Sequence, residues 1–188
     1  MLKRVISYAH ELMETTVNPG ETVVDGTCGN GKDTLFLGKL VGQTGHVVGF
    51  DIQADAIANT KALLEQEEVK NAHVIHDGHE HVEHYFKKYK VESIGGAIFN
   101  LGYLPGSDKS VITTPTTTIQ AIDTLVAYLK KGGLIVLVVY HGHPGGDTER
   151  DALFNHLSKL EQRQFNVLQY GFINQKNSPP FILAIEKK

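Results

Sequence analysis

Tryptophan is absent from this sequence, cysteine occurs once and proline only 6 times. Each scarcity removes a class of protein. A lone Cys28 cannot close an internal disulfide, which excludes a disulfide-stapled scaffold and fits a reducing cytoplasm. No apolar run approaches the ~20 residues that span a bilayer; the longest is Leu134 to Tyr140, so no membrane partner is expected. A secretory signal is not expected either, because Lys3 and Arg4 lead into a polar stretch with His10, Glu11 and Glu14. Internal repeats, low-complexity tracts and linkers are missing too. What is present is 188 residues with 41% hydrophobic and 21% charged side chains, the composition of one globular domain over 1–188.

Charge is uneven along the chain. Residues 1–108 carry 9 Lys/Arg against 15 Asp/Glu, whereas residues 109–188 carry 9 against 6. A polyanionic partner is therefore expected on the second half, through lysines such as Lys109, Lys130, Lys131 and Lys176.

An amphipathic stretch over residues 2–15 puts Leu2, Val5, Ile6, Ala9, Leu12 and Met13 on one helical stripe, and Asn18-Pro19-Gly20 ends it. Strands and helices alternate from there. Strands are expected over Thr22–Asp25, Val47–Ile52, Ala72–His76, Gly96–Phe99, Leu134–Tyr140, Phe165–Ile173 and Phe181–Ile185. Helices are expected near 31–41, 54–67, 79–89, 114–130 and 148–163. This alternation specifies an α/β fold, a mostly parallel sheet with helices on both faces. Only Asn174 to Pro180 separates the last two strands. So short a link cannot hold a parallel crossover, so the final strand runs antiparallel.

The first strand ends Asp25-Gly26-Thr27-Cys28-Gly29-Asn30-Gly31 and opens a helix. Glycines let backbone approach a ligand, and the helix N-terminus offers unpaired N–H groups to an anion. Gly26 to Lys32 nearly spells a P-loop, but the magnesium-holding Ser/Thr position is Asp33, an acid that repels phosphate. A dinucleotide fingerprint would use Gly29 and Gly31, but its third glycine is Thr34. The third ligand is S-adenosylmethionine. Asp25, Gly29 and Gly31 resemble the Asp-x-Gly-x-Gly-x-Gly turn of class I methyltransferases, with Thr27 replacing the first glycine. That resemblance brings Thr27, Cys28, Asn30 and Asp33 to the cofactor with the turn. It also places Asp51, twenty residues beyond Gly31, and Gln53 at the ribose, and Asp77 or its neighbours Gly78 and His79 at the adenine. Singly, an acid at a strand end is a common turn former; here three acids end three successive strands.

The fourth strand ends Asn100-Leu101-Gly102-Tyr103-Leu104-Pro105. Asn100 and Tyr103 match the first and fourth positions of the Asn-Pro-Pro-Tyr loop of amine methyltransferases, where an amide oxygen and loop carbonyls accept an amine's hydrogens. Tyr140, His141 and His143 follow the fifth strand on the edge where open α/β sheets place their sites. Tyr103, Tyr140 and His141 are candidates to take the amine's proton, and none declares itself. Most of the histidines from His73 to His84 read as a solvated helix face, and His79 to His84 misses the His-Glu-x-x-His spacing. No metal is expected.

Nearly the whole chain is similar to one family. DGTCGNGKDTLFL, FDIQ, NLGYLPGSDK, TTPTTTIQA, YHGHPGG and NQKNSPP resemble the YtqB/MnmM family of rRNA-methylase-like proteins. The resemblance implies a seven-stranded sheet of order 3-2-1-4-5-7-6 and S-adenosylmethionine as cofactor. It also implies a cytoplasmic homodimer that methylates the aminomethyl group of the wobble uridine in the tRNA anticodon stem-loop. Competing readings are a methyltransferase of rRNA or another amine, and a nicotinamide-dependent oxidoreductase sharing Gly29, Gly31 and Asp51; the latter leaves Asn100 to Pro105 without a role.

Overall fold

Two apolar faces on each strand, with helices to cover them, dictate the architecture. The computed structural model describes residues 1–102 and 114–188. Among them, strands β1 (Thr22–Asp25), β2 (His46–Asp51), β3 (Ala72–His76), β4 (Ile94–Leu101), β5 (Leu129–Val139), β6 (Phe165–Tyr170) and β7 (Phe181–Lys187) form one sheet. Its order is β3-β2-β1-β4-β5-β7-β6. β1 pairs in parallel with β2 and β4, β2 with β3, and β4 with β5. β7 runs antiparallel to both β5 and β6, as the short link before it requires.

The helices are α1 (Val5–Thr16), α2 (Lys32–Val41), α3 (Ala54–Gln66), α4 (Val82–Tyr89), α5 (Pro115–Tyr128) and α6 (Gly146–Leu157). Alternate strand residues feed two cores. Val24, Phe50, Phe99, Leu137 and Leu183 pack with Phe86 of α4, Leu125 of α5 and Leu153 of α6. On the other face Val23, Val47, Ile98, Val136 and Ile182 pack with Val5, Ala9 and Met13 of α1 and Leu37 and Val41 of α2. No described helix is long and apolar enough to cross a membrane.

Element ends depart from the expected ones where tertiary contacts override local pattern. The helix expected over 79–89 breaks into a 3-10 turn, His79–His81, and α4. His79 in that turn is buried rather than solvated. The helix expected near 148–163 stops at Leu157, and the sixth strand stops at Tyr170 instead of Ile173. β5 begins five residues earlier than its apolar run, at Leu129, across an irregularity opposite Ile94 and Gly96.

Every parallel strand reaches the same edge with its C-terminal end, so Asp25, Asp51, His76, Leu101 and Val139 lie along one rim. Beneath it the backbone of Gly26 rests on the Phe99 ring: a Cβ there would sit 2.1 Å from a ring carbon. Gly26→Ala therefore lowers stability by about 1–3 kcal/mol through overpacking, read as a lower urea midpoint. Combining it with Phe99→Leu recovers part of that loss, because the two changes share one space.

Candidate active site

The turn after β1 is shaped by glycine conformations that no other residue adopts cheaply. Gly29 and Gly31 have φ of 55° and 86°, and a Cβ on Gly31 would meet the α3 backbone 2.8 Å away at Thr60. Gly31 caps α2 without a side-chain partner, so the first amides of that helix remain available to an anion. The turn is tied down from below by Cys28 N–H donating to Phe50 O at 2.9 Å and Thr60 Oγ1 donating to Gly29 O at 3.1 Å.

Asp51, at the end of β2, accepts Gly29 N–H at 3.0 Å on one carboxylate oxygen and Gln53 N–H at 2.9 Å on the other. Both oxygens are thereby fixed at the cleft with lone pairs to spare, the arrangement a ribose diol needs. Asp25 is fully buried, accepting Thr34 Oγ1–H at 2.7 Å and Thr27 N–H at 3.1 Å. Burial, and then the neighbouring charge of Asp33, push its carboxyl up to about 7 against the hydrogen bonds that favour ionisation. Burial likewise holds the Cys28 thiol well above its usual range.

Beyond β3, burial works to raise the Asp77 carboxyl, but its hydrogen bonds together outweigh that effect. Hydrogen bonds from His81, Tyr85 and Gly78 N–H, each at 2.8 Å, hold it below the usual carboxylate range. His79 donates from Nδ1 to Gly26 O at 2.9 Å, joining the β3 and β1 turns. Burial lowers its pKa, so the ring is neutral.

The acceptor side converges on Asp33. Its carboxylate receives Asn100 Nδ2–H at 2.5 Å on one oxygen and His10 Nε2–H at 2.6 Å on the other. Asn100 N–H in turn donates to Thr27 Oγ1 at 2.6 Å, leaving the Thr27 hydroxyl hydrogen to donate elsewhere. Tyr140 stands nearby; burial, then the charge of Asp33, raise its phenol above the usual value. His141 donates from Nε2 to Pro179 O at 3.1 Å and accepts from the Arg150 guanidinium on Nδ1 at 3.3 Å. Both of its ring nitrogens are engaged, and Asp147 Oδ1 lies 3.6 Å from Nδ1 as well.

At the C-terminal rim of the strands, the place where open α/β sheets bind ligands, lies a cleft of about 1010 Å³; Asp25, fully buried, and Gly31 are not in its lining. A smaller hollow of about 480 Å³ between His46, His73 and Tyr89 opens at the opposite rim. Thr27, Cys28, Gly29, Asn30, Asp33, Asp51, Gln53, Asp77, Gly78, His79, Asn100, Tyr140 and His141 all border the large cleft. Tyr103 lies outside the described residues, as does Lys109. The rim also gathers Ile6 and His10 of α1, Lys32, and Asn177, Ser178 and Pro180 before β7. No motif marked Ile6 or His10, and only the fold brings both ends of the chain to the cleft. Of the lysines expected to meet a polyanion, Lys130 and Lys131 start β5 at the opposite rim, about 30 Å away by strand rise. Lys130 is moreover paired with Glu21 at 2.6 Å. Lys176 adjoins the cleft-lining Asn177. Among the described residues no cluster of three or more metal-ligating side chains occurs.

Residues 47–186 match the family model described as "Putative rRNA methylase". An Arabidopsis thaliana protein named "tRNA (mnm(5)s(2)U34)-methyltransferase, chloroplastic" is 36% identical over 99% of this chain and 70% of its own length. A solved Clostridium thermocellum protein carrying the same description as the family superposes with a TM-score of 0.95 at 41% identity, over 100% of both chains. A Streptococcus mutans protein assigned as a methyltransferase and solved in complex with SAH gives 0.90, also at 41% identity and over 100% of both chains.

Titration of Asp25 has a consequence for stability. Its native pKa lies above that of the unfolded chain, so the native state binds the extra proton between about pH 4 and pH 7. Stability from this group is present below that window and is lost as pH rises through it. Asp25→Asn removes the slope: urea midpoints of variant and wild type, measured from pH 5 to pH 8, move apart in the variant's favour as pH rises.

Proposed function

Because the chain belongs to the rRNA methylase family, a family of S-adenosylmethionine-dependent methyltransferases, we propose that it methylates an alkylamine carried by tRNA. The substrate is the aminomethyl nitrogen of 5-aminomethyl-(2-thio)uridine at the wobble position, and the product is the 5-methylaminomethyl nucleoside. The tRNA substrate and its position come from the name of the Arabidopsis relative. The amine comes from the site itself.

The observation that carries this reading is the orientation of Asn100. A carboxylate can only accept, so the bond to Asp33 commits the Asn100 NH2 group to Asp33 and leaves Oδ1 to accept from a substrate. An acceptor oxygen beside the cofactor turn suits an amine, whose N–H bonds it would orient while the nitrogen lone pair faces away.

The residues present fit the cofactor. Asp51 would hold the ribose, the open amides of α2 the carboxylate, and the rim from Asp77 to His79 the adenine. Bound there, S-adenosylmethionine supplies an activated methyl group on a sulfonium. The chain's contribution is alignment and exclusion of water: Asn100 orients the amine, and Tyr140, its phenol kept neutral, is a hydrogen-bond donor rather than a base. The anticodon stem-loop would approach over the rim bearing Lys176 and not over Lys130 and Lys131. In keeping with the family resemblance, the working form is a cytoplasmic homodimer.

Two substitutions separate cofactor from acceptor. Asp51→Ala removes a charged acceptor whose hydrogen bonds are worth about 1.5–3 kcal/mol, so calorimetry should show S-adenosylmethionine binding weakened on the order of tenfold or more. Asn100→Ala should bind the cofactor almost normally but turn over about 100-fold slower in a single-turnover assay on tRNA bearing aminomethyl-uridine. Unmodified tRNA should not react with the wild type. Equal methylation of both tRNAs would move the target to a base or ribose atom.

A further inference from the structure

An alkylamine reaches the enzyme protonated, taking the lysine value of about 10.4 as a guide, and has no lone pair to offer until it loses a proton. Resting on the amine-methyltransferase reading above, we propose that Asp33 accepts that proton and that His10 is the positioning residue that holds Asp33 ready for it. Other groups at the rim are less well placed: His141 has both ring nitrogens engaged, Asn100 cannot take up a proton, and Asp51 stands at the cofactor side of the cleft, bonded to the Gly29 and Gln53 amides.

Asp33 differs from these in its location. It shares a hydrogen bond with the residue that orients the amine, Asn100, so it lies next to the acceptor nitrogen. Its side chain is 12% exposed and that of His10 is 28% exposed, both at the cleft, so the proton has a route from nitrogen to solvent. The His10 ring is fixed by stacking on Phe36, with centroids 4.0 Å apart and planes within 5°. The titratable groups around it include His10 from α1, Asp25 from β1, Asp51 from β2, Tyr140 from beyond β5 and Lys32 beside Asp33 on α2. A bound sulfonium disfavours a second cation next to it, which drives the substrate ammonium to give up its proton on arrival.

The step balances. One N–H bond of the substrate ammonium breaks and one O–H bond forms on Asp33, whose charge goes from −1 to 0. The electron pair left on nitrogen then forms the bond to the methyl carbon, and the pair of the breaking C–S bond stays on sulfur. The product is itself a protonated secondary amine, so no further proton need leave before release. Asp33 resets by passing its proton to water.

A pH profile distinguishes this role from a merely structural one. Single-turnover rates on tRNA bearing aminomethyl-uridine are measured from pH 7 to pH 9 for wild type, Asp33→Asn and His10→Phe, with S-adenosylmethionine affinity measured by calorimetry. His10→Phe keeps a ring on Phe36 and loses the bond to Asp33. Asp33→Asn should be about 100-fold slower at pH 7, within the usual range for acid–base catalysis. His10→Phe should be on the order of tenfold slower. Both deficits should close as pH rises, Asp33→Asn by about tenfold per pH unit, because the variant depends on amine already free in solution. Cofactor affinity should stay within a few-fold of wild type. A deficit that is the same at every pH, wild-type rates in both variants, or a collapse of cofactor affinity in Asp33→Asn would overturn the proposal. Should Asp33→Asn fail to fold, the profile of His10→Phe decides alone. Wild-type enzyme that ignores the aminomethyl group would instead sink the substrate reading, and this proposal with it, before any variant is compared.

Discussion

The turn from Gly26 to Gly31 is held by its surroundings more than by its own sequence. Phe99 presses on it from β4, Thr60 from α3, and Asp51 and His79 bond to it from the turns after β2 and β3. Four separate chain segments therefore agree on the path of six residues. A cofactor meeting this turn meets donors and acceptors already in place, so little ordering cost falls on binding. The same packing explains why Asp25 tolerates complete burial: its two hydrogen bonds come from the turn and from α2, and serve to close that corner.

Acids dominate the rim. Asp25, Asp33 and Asp51 sit around the β1 turn, and burial first, then repulsion from Asp33 and to a lesser degree Asp51, raise the carboxyl of Asp25. Such a field is costly in a protein with no cation to bind and useful in one whose cofactor carries a sulfonium and whose substrate arrives as an ammonium. The departing thioether has lost that charge, so the field favours the donor over its spent form.

Much of this was legible in the residues before any coordinates. The β–α alternation, the glycine turn and the acid closing β2 follow local rules, and the short link before β7 leaves no alternative to an antiparallel last strand. The burial of His79 could not be read locally, because periodicity describes a helix face without saying what stands beside it; here Gly26 and Phe99 do. Lys130 and Lys131 looked like tRNA contacts because charge was counted along the chain, whereas strand direction decides which end of the sheet a residue occupies. His10 carried no signal at all. Its partner Asp33 is 23 residues away, and only the docking of α1 against β5 and β7 brings the two together.

That docking also makes one part of the chain depend on another. Val5, Ala9 and Met13 seat α1 on Val136, Val138, Ile182 and Ala184, and the Tyr170 hydroxyl donates to Lys3 O at 2.7 Å. A 12-residue helix is marginal by itself in water. Much of the surface that seats α1 comes from strands far later in the chain. The glycine turn and the Asp51 acceptor draw on elements up to β4, but the face built on His10 also needs β5 and β7. A truncated chain could thus hold the methyl donor's half of the site without the half that readies an acceptor.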